Sequence, residues 1–180
     1  MAVYIYVATS LDGFIAGPNG ELDWLLEVPN PDQSDYGFAE FMSGIDAVVM
    51  GRNTFETVLS FGDWSYNKPV FVLSYVLQDV PVRLAGKAEI LNGDVGALVS
   101  QLEERGYRNL YVDGGRVIQS FLEQDLVDEM IITRVPILLG GGIPLFGKSA
   151  GRLEFEHKNT VALNETLTKS HYTRVRSNGT

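Results

Sequence analysis

Apolar, β-branched and aromatic runs alternate with stretches of helical periodicity through most of the chain. Residues 3–9 read as a buried first strand. Residues 10–33 hold three glycines and three prolines with few periodic positions, which predicts a long functional loop. Ser34 and Asp35 open a short predicted helix whose inner face carries Phe38, Phe41 and Met42. Strands follow at 47–50, 70–73, 88–91, 110–112 and 129–135, with helices at 52–59, 95–105 and 117–122 between them. Two long strands, 153–163 and 167–175, then turn around Asn164 and Glu165 as an antiparallel hairpin. Alternating strands and helices followed by a hairpin predict an α/β fold, its sheet parallel at the centre with an antiparallel edge.

A chain of 180 residues is expected to form one domain over residues 1–180, with a frayed tail at 177–180. It contains no cysteine, which excludes disulfides and thiolate catalysis and points to a reducing, cytoplasmic setting. No secretory leader or membrane-spanning run is legible. The net charge of −9 argues against nucleic-acid and acidic-membrane partners, which need a basic footprint. It leaves a phosphorylated cofactor open, because helix ends and local arginines decide that contact.

Two apolar runs end in glycine and arginine and pass straight into a helical pattern: Val48-Val49-Met50-Gly51-Arg52-Asn53-Thr54 and Leu110-Tyr111-Val112-Asp113-Gly114-Gly115-Arg116-Val117-Ile118. A helix N-terminus offers unpaired N–H groups and a positive dipole end; glycine admits close approach, and arginine adds a planar fork for phosphate oxygens. Two such junctions predict a ligand with phosphate at two places, as in a dinucleotide. A rival pattern, Gly142-Ile143-Pro144-Leu145-Phe146-Gly147-Lys148-Ser149, spells the P-loop of nucleotide hydrolases. That motif needs a helix directly afterwards, whereas the next residues read as turn and strand. No G-x-G-x-x-G follows the first strand, so a standard Rossmann site is not expected.

The order Ser10-Leu11-Asp12-Gly13-Phe14-Ile15-Ala16, Met50-Gly51-Arg52-Asn53-Thr54-Phe55-Glu56 and Gly114-Gly115-Arg116-Val117 resembles the dihydrofolate reductase-like superfamily. The start of that order and the Ile137-to-Phe146 stretch are most similar to the C-terminal reductase domain of the bifunctional riboflavin-biosynthesis enzyme. The resemblance implies a three-layer fold with a mostly parallel central sheet, flanking helices and the C-terminal hairpin. It implies NADPH, with the pyrophosphate at Gly51, Arg52, Asn53 and Thr54. The second junction, Gly114, Gly115, Arg116, Val117 and Ile118, closes over the cofactor. Leu73 and Ser74 meet the adenosine 2′-phosphate, and Ala8, Ile15 and Ala16 line the nicotinamide. Residues 17–24 correspond to the family's mobile loop. The implied activity is reduction of a pteridine-like or aminouracil-like heterocycle, most like 5-amino-6-(5-phosphoribosylamino)uracil. Dihydrofolate reductase activity and a non-catalytic NADPH-binding module are the alternatives, with a P-loop hydrolase a remote one. The family also implies a homodimer, for which the apolar Ile137-Leu138-Leu139 run is a candidate contact; a buried strand explains that run equally well.

Reduction of a C=N bond requires a proton for nitrogen. By analogy with dihydrofolate reductases the acid falls on the helix at 34–43, whose candidates are Asp35 and Glu40; Asp35 lies the appropriate distance ahead of Gly51, and a helix cap is its competing reading. Thr133, on a central strand, is a candidate to hydrogen-bond substrate or water. Asp12 reads as a turn residue before Gly13. His157 and His171 lack partners at metal spacing, so no metal site is expected. The riboflavin-pathway reductases carry arginine before the first junction, whereas residues 38–45 here carry none, leaving a substrate phosphate without a visible cation.

Overall fold

A computed structural model describes residues 1–176; the tail at 177–180 lies outside them. The strands are β1 (Ala2–Thr9), β2 (Phe14–Ala16), β3 (Ala47–Gly51), β4 (Val70–Leu73), β5 (Ala88–Leu91), β6 (Asn109–Asp113), β7 (Glu129–Arg134), β8 (Ile143–Pro144), β9 (Phe155–Ala162) and β10 (Thr168–Arg174). The helices are α1 (Asp23–Leu26), α2 (Phe38–Ser43), α3 (Arg52–Ser60), α4 (Val95–Glu104) and α5 (Gly115–Glu123). Eight strands form one sheet in the order β5-β4-β3-β6-β1-β7-β10-β9. All neighbours from β5 to β7 are parallel, while β10 runs antiparallel to both β7 and β9.

The parallel centre accounts for the unbroken apolar runs, because helices cover both of its faces. Ala47, Val48, Val49 and Met50 are all at most 1% exposed. On one face Val3, Ile5, Leu110 and Val112 pack with Leu98 and Leu102 of α4 and Ile118 and Phe121 of α5. On the other, Val48, Met50, Val72 and Tyr111 pack with Met42 of α2 and Phe55 of α3. Each fully buried side chain of this size contributes roughly 1.5–3 kcal/mol. Tyr6, Phe38, Phe41 and Tyr111 interlock there, with ring centroids 4.7–6.2 Å apart.

Residues 10–33 are less irregular than the glycine and proline content suggests. β2 pairs with β8 in a second, two-stranded sheet, and α1 makes a single turn. Asp12 fastens this ribbon: its carboxylate accepts from the amides of Leu139 (3.1 Å) and Gly140 (2.8 Å) and from the Ser10 hydroxyl (2.6 Å). Those bonds, the Ser10 hydroxyl foremost, hold its pKa below the usual carboxylate value. Asp12 is the turn residue that its place before Gly13 suggests. The Ile137-Leu138-Leu139 run is no buried strand: it lies beyond β7, and Leu138 is 71% exposed.

At the far edge, Arg174 of β10 grips Asp125 with two nitrogens, at 2.7 and 2.9 Å, fastening the hairpin to the turn after α5. Among the described residues no helix is long and apolar enough to cross a membrane.

Candidate active site

The register of the parallel strands decides where the two glycine-arginine junctions meet. Met50 of β3 lies opposite Asp113 of β6, so Gly51 and Gly114 leave the sheet side by side. Their contact leaves no room for side chains. A Cβ on Gly114 would stand 2.3 Å from Thr54 Oγ1, and Gly114 also has φ of +96°, which L side chains rarely adopt. A Cβ on Gly51 would stand 3.1 Å from Val117 Cγ2. Helix α3, which follows β3, joins one face of the sheet and α5, which follows β6, joins the other. The crevice between them is a topological switch point, where open α/β sheets take ligands.

The three longer helices, α3, α4 and α5, begin in two ways. α4 is capped by its own acid: Asp94 accepts from the amides of Gly96 (3.0 Å) and Ala97 (3.3 Å). α3 and α5 have no side-chain cap and no acid in the first turn. Their leading N–H groups remain for an anion. Arg52 and Arg116 begin these helices as exposed residues. Arg52 reaches Glu56 only at 4.0 Å, an exposed pair worth little.

The neighbouring strand ends extend the crevice. Leu73 of β4 lies opposite Gly51, and the buried Ser74 follows it. The Ser74 oxygen accepts from the amides of Val76 (3.1 Å) and Leu77 (3.0 Å), leaving its own O–H to donate. On the other side, β1 carries Ala8 opposite Thr133 of β7. Ile15 and Ile143 of the ribbon press on α5 at its first turn, where a Cβ on Gly115 would meet them at 3.1 and 2.7 Å. Ala16 meets the same ribbon, its carbonyl oxygen 2.2 Å from where a Cβ on Gly142 would stand. The candidate cofactor residues therefore line consecutive strand ends in the order β4, β3, β6, β1.

Asp35 sits elsewhere in character. It is exposed, and its carboxylate accepts from the amides of Gly37 (2.9 Å) and Ala39 (2.8 Å), just ahead of α2. These bonds lower its pKa, Ala39 contributing most, so the raised value wanted of an acid in an apolar pocket is not found. The helix itself starts at Phe38, later than the sequence suggests: its N-cap is Gly37, with φ of 88°, and Asp35 braces the turn ahead of it through the Gly37 and Ala39 amides. The carboxyl group with the required property is Asp113. Burial raises its pKa to about 6 against the lowering influence of the Gly114 amide and the neighbouring Tyr111 hydroxyl. Asp113 shares its sheet face with Tyr111, whose hydroxyl donates to the Tyr6 carbonyl at 3.1 Å. An acid closing an apolar run directly before two glycines was the available signal for it. Thr133 is 8% exposed on that same face, in register with Ala8.

The P-loop reading fails on its context. Its residues form β8 and an open turn, and β9 is the next element, so no helix N-terminus stands behind Lys148. No group of three or more acidic, histidine or cysteine side chains able to hold a metal occurs among the described residues.

The family described as the RibD C-terminal domain matches residues 2–169. The chain belongs to the RibD C-terminal domain family. Within that family's reach, the uncharacterized protein YwjB of Bacillus subtilis strain 168 is 31% identical over 177 residues, covering 95% of this chain and 97% of YwjB. A crystal structure from Shewanella sp. PV-4, of a protein provisionally assigned to riboflavin biosynthesis, is 48% identical. It superposes with a TM-score of 0.93 over 98% of this chain and 100% of that one. Dihydrofolate reductase from Enterococcus faecalis, complexed with NADP(H), shares 18% identity and a TM-score of 0.66, with 96% of each chain covered. The RibD C-terminal domain here thus has the dihydrofolate reductase-like fold, in the reductase branch to which its sequence is similar.

Proposed function

We propose that this protein is an NADPH-dependent reductase of a pteridine-like or aminouracil-like heterocycle, most like the 5-amino-6-(5-phosphoribosylamino)uracil reductase of riboflavin biosynthesis. The observation that carries the reading is the contact between two uncapped helix N-termini at adjacent strand ends. Together they suit the two phosphates of one dinucleotide. Ser74 supports NADP over NAD, because a neutral donor there does not repel a 2′-phosphate as an acid would.

NADPH, when bound, supplies the hydride. The chain's own residues do the rest. Arg52, Arg116 and the leading amides of α3 and α5 hold the phosphates; Gly51 and Gly114 let the backbone come close. Ala8, Ile15 and Ala16 shelter the nicotinamide end. Asp113 holds a proton for the substrate nitrogen, with a pKa of about 6 that keeps it partly protonated near neutrality. Thr133, across β1 from Asp113, orients substrate or water.

Fluorescence titration with NADPH, NADH and ATP on one sample tests the cofactor. Arg52→Ala and Arg116→Ala are each expected to weaken NADPH binding about tenfold, the loss of one charge-assisted contact. Indifference to both substitutions refutes the site. NADPH oxidation with dihydrofolate and with an aminouracil then separates the reductase from dihydrofolate reductase activity and from a binding module without turnover.

A further inference from the structure

The floor of the proposed substrate site ends in a cation that the sequence pattern does not reveal. Lys169 of β10 lies opposite Thr133 of β7, which lies opposite Ala8 of β1. Directly opposed residues share a face, so Lys169 looks onto the same side of the sheet as Tyr6 and Asp113. Its ammonium stands 5.7 Å from the centre of the Tyr6 ring and donates to the Tyr36 carbonyl at 2.7 Å. Among the described residues only that acceptor is supplied to a group with three donors. Lys169 is half-buried and, among the described residues, makes no ion pair within 4.0 Å. The Asp35 carboxylate feels the Lys169 charge but is itself bonded to the Gly37 and Ala39 amides. A sheltered ammonium with unfilled donors at the end of a ligand floor is built for an anion.

We propose that Lys169 is a specificity-determining residue. It pairs with an anionic oxygen group, carboxylate or phosphate, carried by the heterocyclic substrate at the end remote from Asp113. This rests on the reductase reading above and deepens it. The two ends of the floor then read opposite chemistry: Asp113 takes the ring nitrogen and Lys169 the charged substituent, with Thr133 between them. The substrate phosphate that found no arginine at residues 38–45 is received by the C-terminal hairpin instead.

The test compares paired probes on the full chain with saturating NADPH. Dihydrofolate, with its carboxylates, is set against neutral dihydrobiopterin; 5-amino-6-ribitylaminouracil 5′-phosphate is set against the dephosphorylated compound. Lys169→Met is expected to weaken at least one anionic probe about tenfold while changing its neutral counterpart less than about twofold, and Lys169→Arg to restore the preference. Which anionic probe responds tells carboxylate from phosphate. Tyr6→Phe removes the other tether of the Tyr36 carbonyl, a 2.9 Å bond, without removing charge, and is expected to leave the anionic-to-neutral ratio unchanged. Equal loss of both members of a pair, no loss, or no binding of any probe by a wild-type protein that binds NADPH overturns the assignment to Lys169. Failure of the wild-type protein to bind NADPH overturns the reductase reading itself.

Discussion

Asp35, ahead of α2, and Asp113, at the end of β6, are both carboxylates whose surroundings drive them in opposite directions. Backbone amides stabilise the ionised form of Asp35 and lower its pKa, whereas burial disfavours the ionised form of Asp113 and raises it to about 6. Asp113→Asn is expected to cut kcat about 100-fold, the lower end of general acid catalysis, with NADPH affinity nearly unchanged. In the wild-type protein kcat should fall as pH rises through about 6, and this limb should vanish in the variant. The stability sign is opposite to that of a paired acid. Because the folded value lies above the unfolded one of 3.8, the penalty for ionising Asp113 is absent at low pH, grows as pH rises towards about 6 and is complete above it. Asp113→Asn should therefore be the more stable protein at pH 8, by on the order of 1–3 kcal/mol, as urea titration at pH 4 and pH 8 will show. Asp35 was legible as a possible cap because acidic residues cluster ahead of helices. Asp113 was hidden by its position inside a motif read for its glycines, and its environment exists only once Tyr111 and Tyr6 are assembled around it.

At the scale of elements, the strand-glycine-arginine-helix junctions could be read directly because a change of hydrophobic period marks each boundary. β2 and β8 could not, since strands of three and two residues are too short to show a period. Their pairing joins segments far apart in the chain, a matter of tertiary contact. The glycines of the loop at 139–144 were visible, and one of them carries the ribbon. Gly142 has φ of +150°, and a Cβ there would stand 2.2 Å from the Ala16 carbonyl oxygen. Gly142→Ala is expected to destabilise the protein by roughly 2 kcal/mol or more through strain and displacement of β2. Because Ile15 and Ile143 abut α5, NADPH binding should weaken in the same variant. A variant with lowered thermal stability and unaltered NADPH affinity would show that the ribbon does not position the crevice.

For the whole molecule, the sequence announced a parallel sheet with a C-terminal hairpin but was silent on strand order. That β6 inserts between β3 and β1 is settled by packing, and it alone brings together residues so distant in the chain. The same assembly puts Lys169, from the last strand, in one row with Thr133 and with Ala8 of the first strand. The unequal capping of α4 against α3 and α5 has an energetic corollary. A helix left without its carboxylate forgoes roughly 0.5–2 kcal/mol, a deficit at the crevice that a bound anion would make good. Saturation at 100 times Kd should add about 2.7 kcal/mol, visible in scanning calorimetry as a rise in Tm of roughly 5–10 °C. Asn53→Asp, which gives α3 an acid of its own, is expected to raise the Tm of the ligand-free protein and to blunt its response to NADPH. Robustness and coenzyme affinity would then move in opposite directions through a single side chain, and a variant gaining both would contradict the idea that the vacancy is held open for phosphate.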